Sequence, residues 1–289
     1  MEKVMRRFIV MVSLLIFSYG ATAEKFTGTL KKIADSGSIT IGYKQNSAPF
    51  SFLDASGNPI GYSIDLCRRI ATATKEKLGL NKLDVKFVEV SLQDRFKAVE
   101  SGKVDIVCSS STITLSRMEQ VDFTLRTFVT GGALISSADA PIRSTADIGG
   151  KTVAVVKNTS TESALASYLK ESLVDAKLKL VDTRSEGMQL LNDGKVDAFA
   201  SDQIVLIGQI VQSDDPKSYV LSQDLYSFEP YGLMLRRNDA DFRVVANRSL
   251  AQIYRTGQYR QLFERWFGQV GLKPSPVLAA MYRMEALPE

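Results

Sequence analysis

The sequence predicts an α/β fold of two similar lobes, and three observations carry that prediction. The order strand, helix, strand, helix, strand occurs twice in succession, as expected of mostly parallel sheets flanked by helices. The tetrapeptide GKVD links a helix to a strand in each round, at Gly102–Asp105 and again at Gly194–Asp197. Two further stretches, FTLRTFVTGGALIS (Phe123–Ser136) and SFEPYGLMLRR (Ser227–Arg237), lead into and out of the second round. The chain therefore crosses between lobes twice, with a two-strand hinge expected near Thr127–Gly132 and Phe228–Gly232.

In the first round, Ile39–Tyr43 reads as a strand and is followed by a loop containing Pro49 and the turn SGNPIGY. SIDLCRRIATATKEKLG has apolar residues at helical spacing, with Ser63 or Asp65 near its start and Gly79 as its stop. LDVKFVEV alternates as a strand, a helix follows over about Leu92–Glu100, and VDIVC is the next strand. The second round repeats the plan. KTVAVV, AKLKLVD and VDAFAS are its strands, and TESALASYLKESL and Glu186–Asn192 its helices. The glycine of each GKVD lets the preceding helix end in a left-handed conformation, so the motif itself reads as a connector. Ligands of parallel sheets bind beyond the carboxyl ends of the strands. The loops after VDIVC, KTVAVV and VDAFA start at such ends and would converge on one cleft. The C-terminal remainder, with AQIYRTGQYRQLFERWF, is mostly helical.

Composition narrows the chemistry. The 289 residues are 45% hydrophobic and 24% charged, an ordinary globular balance with room for a large core. The net charge is only +4, and the first 23 residues hold Lys3, Arg6 and Arg7 against Glu2. Such a mild balance, with no basic run elsewhere, speaks against nucleic acid as a partner. There is no histidine, which excludes Ser–His–Asp, Cys–His and HExxH chemistries. No cofactor or metal is called for.

At the N-terminus, Arg6 and Arg7 precede the apolar run Phe8–Phe17 and then Ala21-Thr22-Ala23. That is the pattern of a cleavable export signal, too short in its apolar part to cross a bilayer unaided. Cleavage after Ala23 is expected. Export permits a disulfide between Cys67, on the apolar face of its helix, and Cys108, at the end of a strand; two separate buried thiols are the alternative.

The stretches APFSFLD, GYSIDL, LQDRF, VDIVCSSSTITLSRMEQVDFT, ADIGGKTVAVV, NTSTE, VDAFASD and QLFERWF occur in order over nearly all of the mature chain. Together they resemble the solute-binding proteins of polar amino-acid ABC transporters, especially the glutamate/aspartate-binding branch. The resemblance implies a two-lobed type II periplasmic-binding-protein-like fold: residues 1–23 a signal peptide, 24–128 and 229–289 one lobe, 129–228 the other. It also implies a periplasmic monomer, an acidic L-amino acid as ligand and a membrane permease as partner.

The resemblance places Arg117 at the α-carboxylate, which a guanidinium can grip bidentately. Thr112, Thr159 and Ser160 would add hydroxyl and backbone N–H donors. Asp202, with Ser110 nearby, stands at the position that takes the α-ammonium. Lys44, Arg95 and Arg184 are candidates for the far end of the pocket, where three cations would repel one another unless an anion joins them. Phe50 is either a platform for the ligand's aliphatic part or core. Without these roles, Arg117 would pair with Glu119 or Asp122, Asp202 would cap a helix, and the three distal cations would be solvated. Relatives often carry Arg at Lys44, His at Arg184, a hydroxyl residue at Leu92 and Gly at Asn158; those differences bear on the ranking of diacids. The competing readings are a binder of another polar amino acid, and an enzyme resembling cyclohexadienyl or arogenate dehydratases. Such an enzyme needs a general acid, and Asp202 is the only carboxylate in the matched loops.

Overall fold

A computed structural model describes residues 26–289; the export signal and its cleavage point lie outside the described residues. Two five-stranded sheets form the two lobes. In the first, Ser38–Tyr43 pairs in parallel with Asp84–Glu89 on one side and Ile106–Val107 on the other. In the second, Thr152–Val156 pairs in parallel with Lys177–Val181 and Ala198–Asp202. Each sheet is therefore built around one repeat of the predicted pattern.

The remaining strands run antiparallel, so the sheets are less parallel than the sequence suggests. Met234–Arg236 lies between Ile106–Val107 and Val121–Phe123, and Gly132–Ser137 between Ala198–Asp202 and Tyr219–Leu221. The cause is the double crossing. A chain arriving from the other lobe reaches the sheet without a crossover helix, and only such a helix would turn it parallel. The crossings themselves, Phe128–Thr130 and Glu229–Tyr231, pair antiparallel as a two-stranded ribbon at the predicted hinge positions.

Both sheets carry apolar clusters on both faces, as helices on either side require. The helix Tyr62–Lys77 buries Ile64, Cys67, Ile70 and Ala71 on one stripe. Cys67 on that stripe is bonded to Cys108, with Cα atoms 6.4 Å apart, which decides between the two cysteine readings. Neither Ser63 nor Asp65 caps this helix. The Ser63 hydroxyl donates to the Ser109 carbonyl instead, and Asp65 accepts from the Trp266 indole.

Phe50 belongs to the core and does not reach the cleft. It is fully buried, with the rings of Tyr62, Phe128, Tyr231 and Phe267 at centroid distances of 5.1 to 6.0 Å. This aromatic knot lies against the crossing ribbon. Burying several large rings together there is worth more than offering one ring to a ligand.

The two GKVD aspartates act alike. Asp105 accepts from the Thr40 backbone N–H at 2.8 Å and Asp197 from that of Thr152 at 2.7 Å, each clipping the start of the neighbouring strand. Gly102 and Gly194 have φ of 71° and 64°, the left-handed helix stops expected. The clips sit at the strands' beginnings, so their other ends point into the cleft.

Candidate functional site

A small, tight cavity lies between the lobes. Its walls come from the loop after Ile106–Val107, the first turn of the helix Ser160–Glu171, and the end of Ala198–Asp202. Of the candidates named from the sequence, Arg95, Ser110, Thr112, Arg117, Thr159, Ser160, Arg184 and Asp202 all line it. Lys44 lines an adjoining cavity instead, and Phe50 neither.

The lobes touch across this space. The Ser160 hydroxyl lies 3.1 Å from Thr112 Oγ1 and 2.9 Å from a Glu229 carboxylate oxygen. Arg184 donates to the Ser47 hydroxyl at 2.8 Å, and Gln93 to the Asp182 carbonyl at 3.1 Å. Beneath the site, residues 111–113 run antiparallel to the return crossing. Ile113 N–H donates to Pro230 O and Gly232 N–H to Ser111 O, with a bridge between Thr112 and Tyr231.

Donors gather at one end. Arg117 is steered by its bond to the Thr112 carbonyl at 2.7 Å and lies over the Phe96 ring. Burial lowers its pKa, partly offset by Glu229 and Asp202. The alternative pairing with Glu119 or Asp122 is not made: Asp122 binds Arg243. Across the cleft, Thr159 is occupied as a helix cap, accepting from Glu162 N–H and donating to the Val156 carbonyl. Its cap leaves the Ser160 and Thr161 backbone N–H groups free of intrahelical bonds at the helix's positive end. Asn158 holds φ at 59°, a left-handed turn that Asn tolerates.

Acceptors gather beside them. Asp202 is buried at the N-cap position of Gln203–Gln212 but makes no cap bond. The Tyr231 hydroxyl donates to one oxygen at 2.6 Å and the Thr161 hydroxyl to the other at 3.2 Å. Burial, then the charge of Glu229, push its pKa up to about 6. The buried Ser110 hydroxyl has no partner among the described residues, so it is free to bond a polar group of a solute.

Further cations line the cavity near Arg117, which shares the Phe96 ring with Arg95. Arg95 is 3% exposed, stacked on Phe96, and makes no hydrogen bond or ion pair among the described residues. Burial, then the charges of Arg117 and Arg184, bring its pKa down to about 9. Lys44 is lowered well below its usual value by burial, then by Arg184 and Arg95. A buried cation without an acceptor costs free energy, so this wall is built for an anion.

The sequence pointed to neither Ser111, Thr161 and Ser201 in the wall nor Glu229 and Tyr231 behind it. Thr161 was within reach, since it shares the first helical turn with Ser160. Tyr231 and Glu229 were not, because only the path of the return crossing brings them under the loop.

Fold and interlobe cavity together are those of a small-solute receptor, and the chain belongs to the bacterial extracellular solute-binding proteins, family 3, whose model matches residues 39–269. Family members bind amino-acid ligands and deliver them to ABC permeases. The chain is 34% identical over 255 residues to the L-glutamate/L-aspartate-binding protein of Pseudomonas aeruginosa, covering 88% of this chain and 84% of that one. It is 30% identical over 239 residues to the glutamate/aspartate import solute-binding protein of Escherichia coli K12, covering 83% and 79%. Among solved structures it resembles a mutant of ArgBP from T. maritima, with a TM-score of 0.72 and 26% identity over 83% of this chain and all of that one. An ancestral amino acid-binding protein, a precursor of cyclohexadienyl dehydratase, matches with a TM-score of 0.70 and 29% identity over 83% and 100%.

Proposed function

We propose that the chain is an exported monomeric receptor that captures glutamate or aspartate between its lobes and hands it to an ABC permease. The observation that carries this reading is Arg95: a buried guanidinium with no acceptor among the described residues, lining the cavity together with Arg184. The α-carboxylate would lie against Arg117, Thr112 and the free N–H groups of Ser160 and Thr161. The α-ammonium would sit between Asp202 and Ser110, and the side-chain carboxylate against Arg95 and Arg184. An arginine ligand, the cargo suggested by the name of the T. maritima structure, would instead drive its guanidinium into these cations.

Residues 24–128 with 229–289 would move as one lobe and 129–228 as the other, hinged on the paired crossings Phe128–Thr130 and Glu229–Tyr231. Groups from both lobes would hold the ligand, so binding favours the closed state by the contacts made only there. The carboxylate lining the cavity, Asp202, is committed to the ammonium, which supports a binding role over a dehydratase one. Cleavage after Ala23 would release the receptor into the periplasm.

Two variants separate the parts of this reading. By calorimetry, Arg117→Ala is expected to weaken every α-amino acid by about 30-fold or more, the cost of an unpaired buried charge. Arg95→Ala is expected to collapse the preference for glutamate over glutamine while leaving the weak glutamine affinity nearly intact. An unchanged preference would contradict the role given to Arg95.

A further inference from the structure

Glu229 stands on the return crossing Glu229–Tyr231, is 2% exposed, and makes no ion pair among the described residues. Burying a carboxylate without a bonded cation costs free energy, and here two hydroxyls offset it. Ser227 donates to its Oε1 at 2.8 Å and Ser160 to its Oε2 at 2.9 Å. Ser227 is fixed in turn, because its oxygen accepts from the Gly132 N–H at 2.9 Å. Arg117, which feels the charge of Glu229, is bonded to the Thr112 carbonyl. Glu229 is absent from the walls of the main cavity, so it does not serve as a ligand contact.

The Ser160 hydroxyl has one proton to give and two acceptors in reach, Glu229 Oε2 and, at 3.1 Å, Thr112 Oγ1. The carboxylate oxygen is the stronger acceptor, so it takes that proton and leaves Thr112 to donate to Ser160. One chain of bonds then joins both crossings and both lobes. It runs inward from Gly132 through Ser227 and from Thr112 through Ser160, and both arms end on Glu229. Ser160 is also the first residue of the helix Ser160–Glu171, so holding its side chain sets where the free N–H groups of that helix lie over the cavity.

We propose that Glu229 is a positioning residue of the closed receptor. It fixes the Ser160 hydroxyl, and with it the start of the helix Ser160–Glu171, against Thr112 of the other lobe. This rests on the proposed use of the Ser160 and Thr161 N–H groups to hold an α-carboxylate.

The test compares the mature protein with Glu229→Met, Glu229→Gln, Ser160→Ala and the double variant Glu229→Met, Ser160→Ala. Affinity for L-glutamate is read by calorimetry, and dissociation by release of labelled L-glutamate into excess unlabelled ligand. Glu229→Met fills the space without a comparable acceptor and is expected to weaken glutamate by about tenfold or more, mostly through faster dissociation. Glu229→Gln keeps an oxygen within reach of Ser160 and should stay within about threefold of the unaltered protein. In the Ser160→Ala background, Glu229→Met should cost less than about threefold more, because members of one network do not add. An equal cost with and without the Ser160 hydroxyl would overturn the inference and leave the acidic amino-acid reading standing. So would an unchanged affinity in Glu229→Met. If that variant does not fold, Glu229→Asp, too short to reach Ser160, takes its place with the same outcomes. Should neither glutamate nor aspartate bind the unaltered protein, both readings fall together.

Discussion

Asp202 occupies a helix N-cap position without capping the helix, and its carboxylate is turned instead toward Tyr231 and Thr161. Burial holds its pKa up at about 6. With the folded value raised above the usual carboxylate value near 4, the folded state binds the proton more tightly than the unfolded chain. The stability this group confers on the empty protein is therefore present below about pH 4 and lost as pH rises to 6. Binding an ammonium requires the charged form, so ligand affinity should fall about tenfold per pH unit on acidification below 6. Tyr231→Phe removes a bond that favours the charged form. Its affinity should be about tenfold lower at pH 7, and its fall-off should begin at a higher pH. Titrations at several pH values check this, and a lower affinity with an unmoved pH profile would mean that Tyr231 is merely structural. The family resemblance and the residue types together pointed to Arg117 and Asp202, and both line the cavity. They did not reveal that Phe50 is core, since an aromatic side chain suits either surroundings until its neighbours are known.

The helices and strands were legible where local rules govern them. Gly102 and Gly194 end helices with positive φ, and the aspartates three residues later clip adjacent strands. The repeat thus records a step in chain construction. Boundaries shifted where tertiary contacts intervene: the helix expected from Leu92 begins at Arg95, since Leu92 faces the cleft and Asp94 is tied to the Ser91 hydroxyl. The antiparallel strands were illegible because pairing partners are far apart in sequence. The helix Gln203–Gln212 offers an element-level test. A Cβ on Gly208 would stand 2.4 Å from the Ala48 carbonyl oxygen, across the lobe boundary. Gly208→Ala should therefore hold the lobes apart, weakening ligand at least tenfold. A contact made only in the closed arrangement would leave the melting temperature of the ligand-free protein hardly changed. A large drop in that temperature, with affinity intact, would contradict a contact specific to closure.

Across the whole molecule, the proposed reading has the two lobes divide the ligand's charges between them. Lobe one brings Arg95, Arg117 and Ser110 to the cavity, and lobe two brings Asp202, Arg184 and the N-terminus of the helix Ser160–Glu171. On that reading neither set would hold an amino acid alone, so the lobes would have to close on it. The most direct test of this account is a calorimetric titration of mature, ligand-stripped protein against L-glutamate, L-aspartate, L-glutamine and L-arginine. Tight one-to-one binding of glutamate or aspartate, with glutamine weaker and arginine undetectable, is the predicted result. Tight binding of glutamine or arginine with none for either diacid would contradict it.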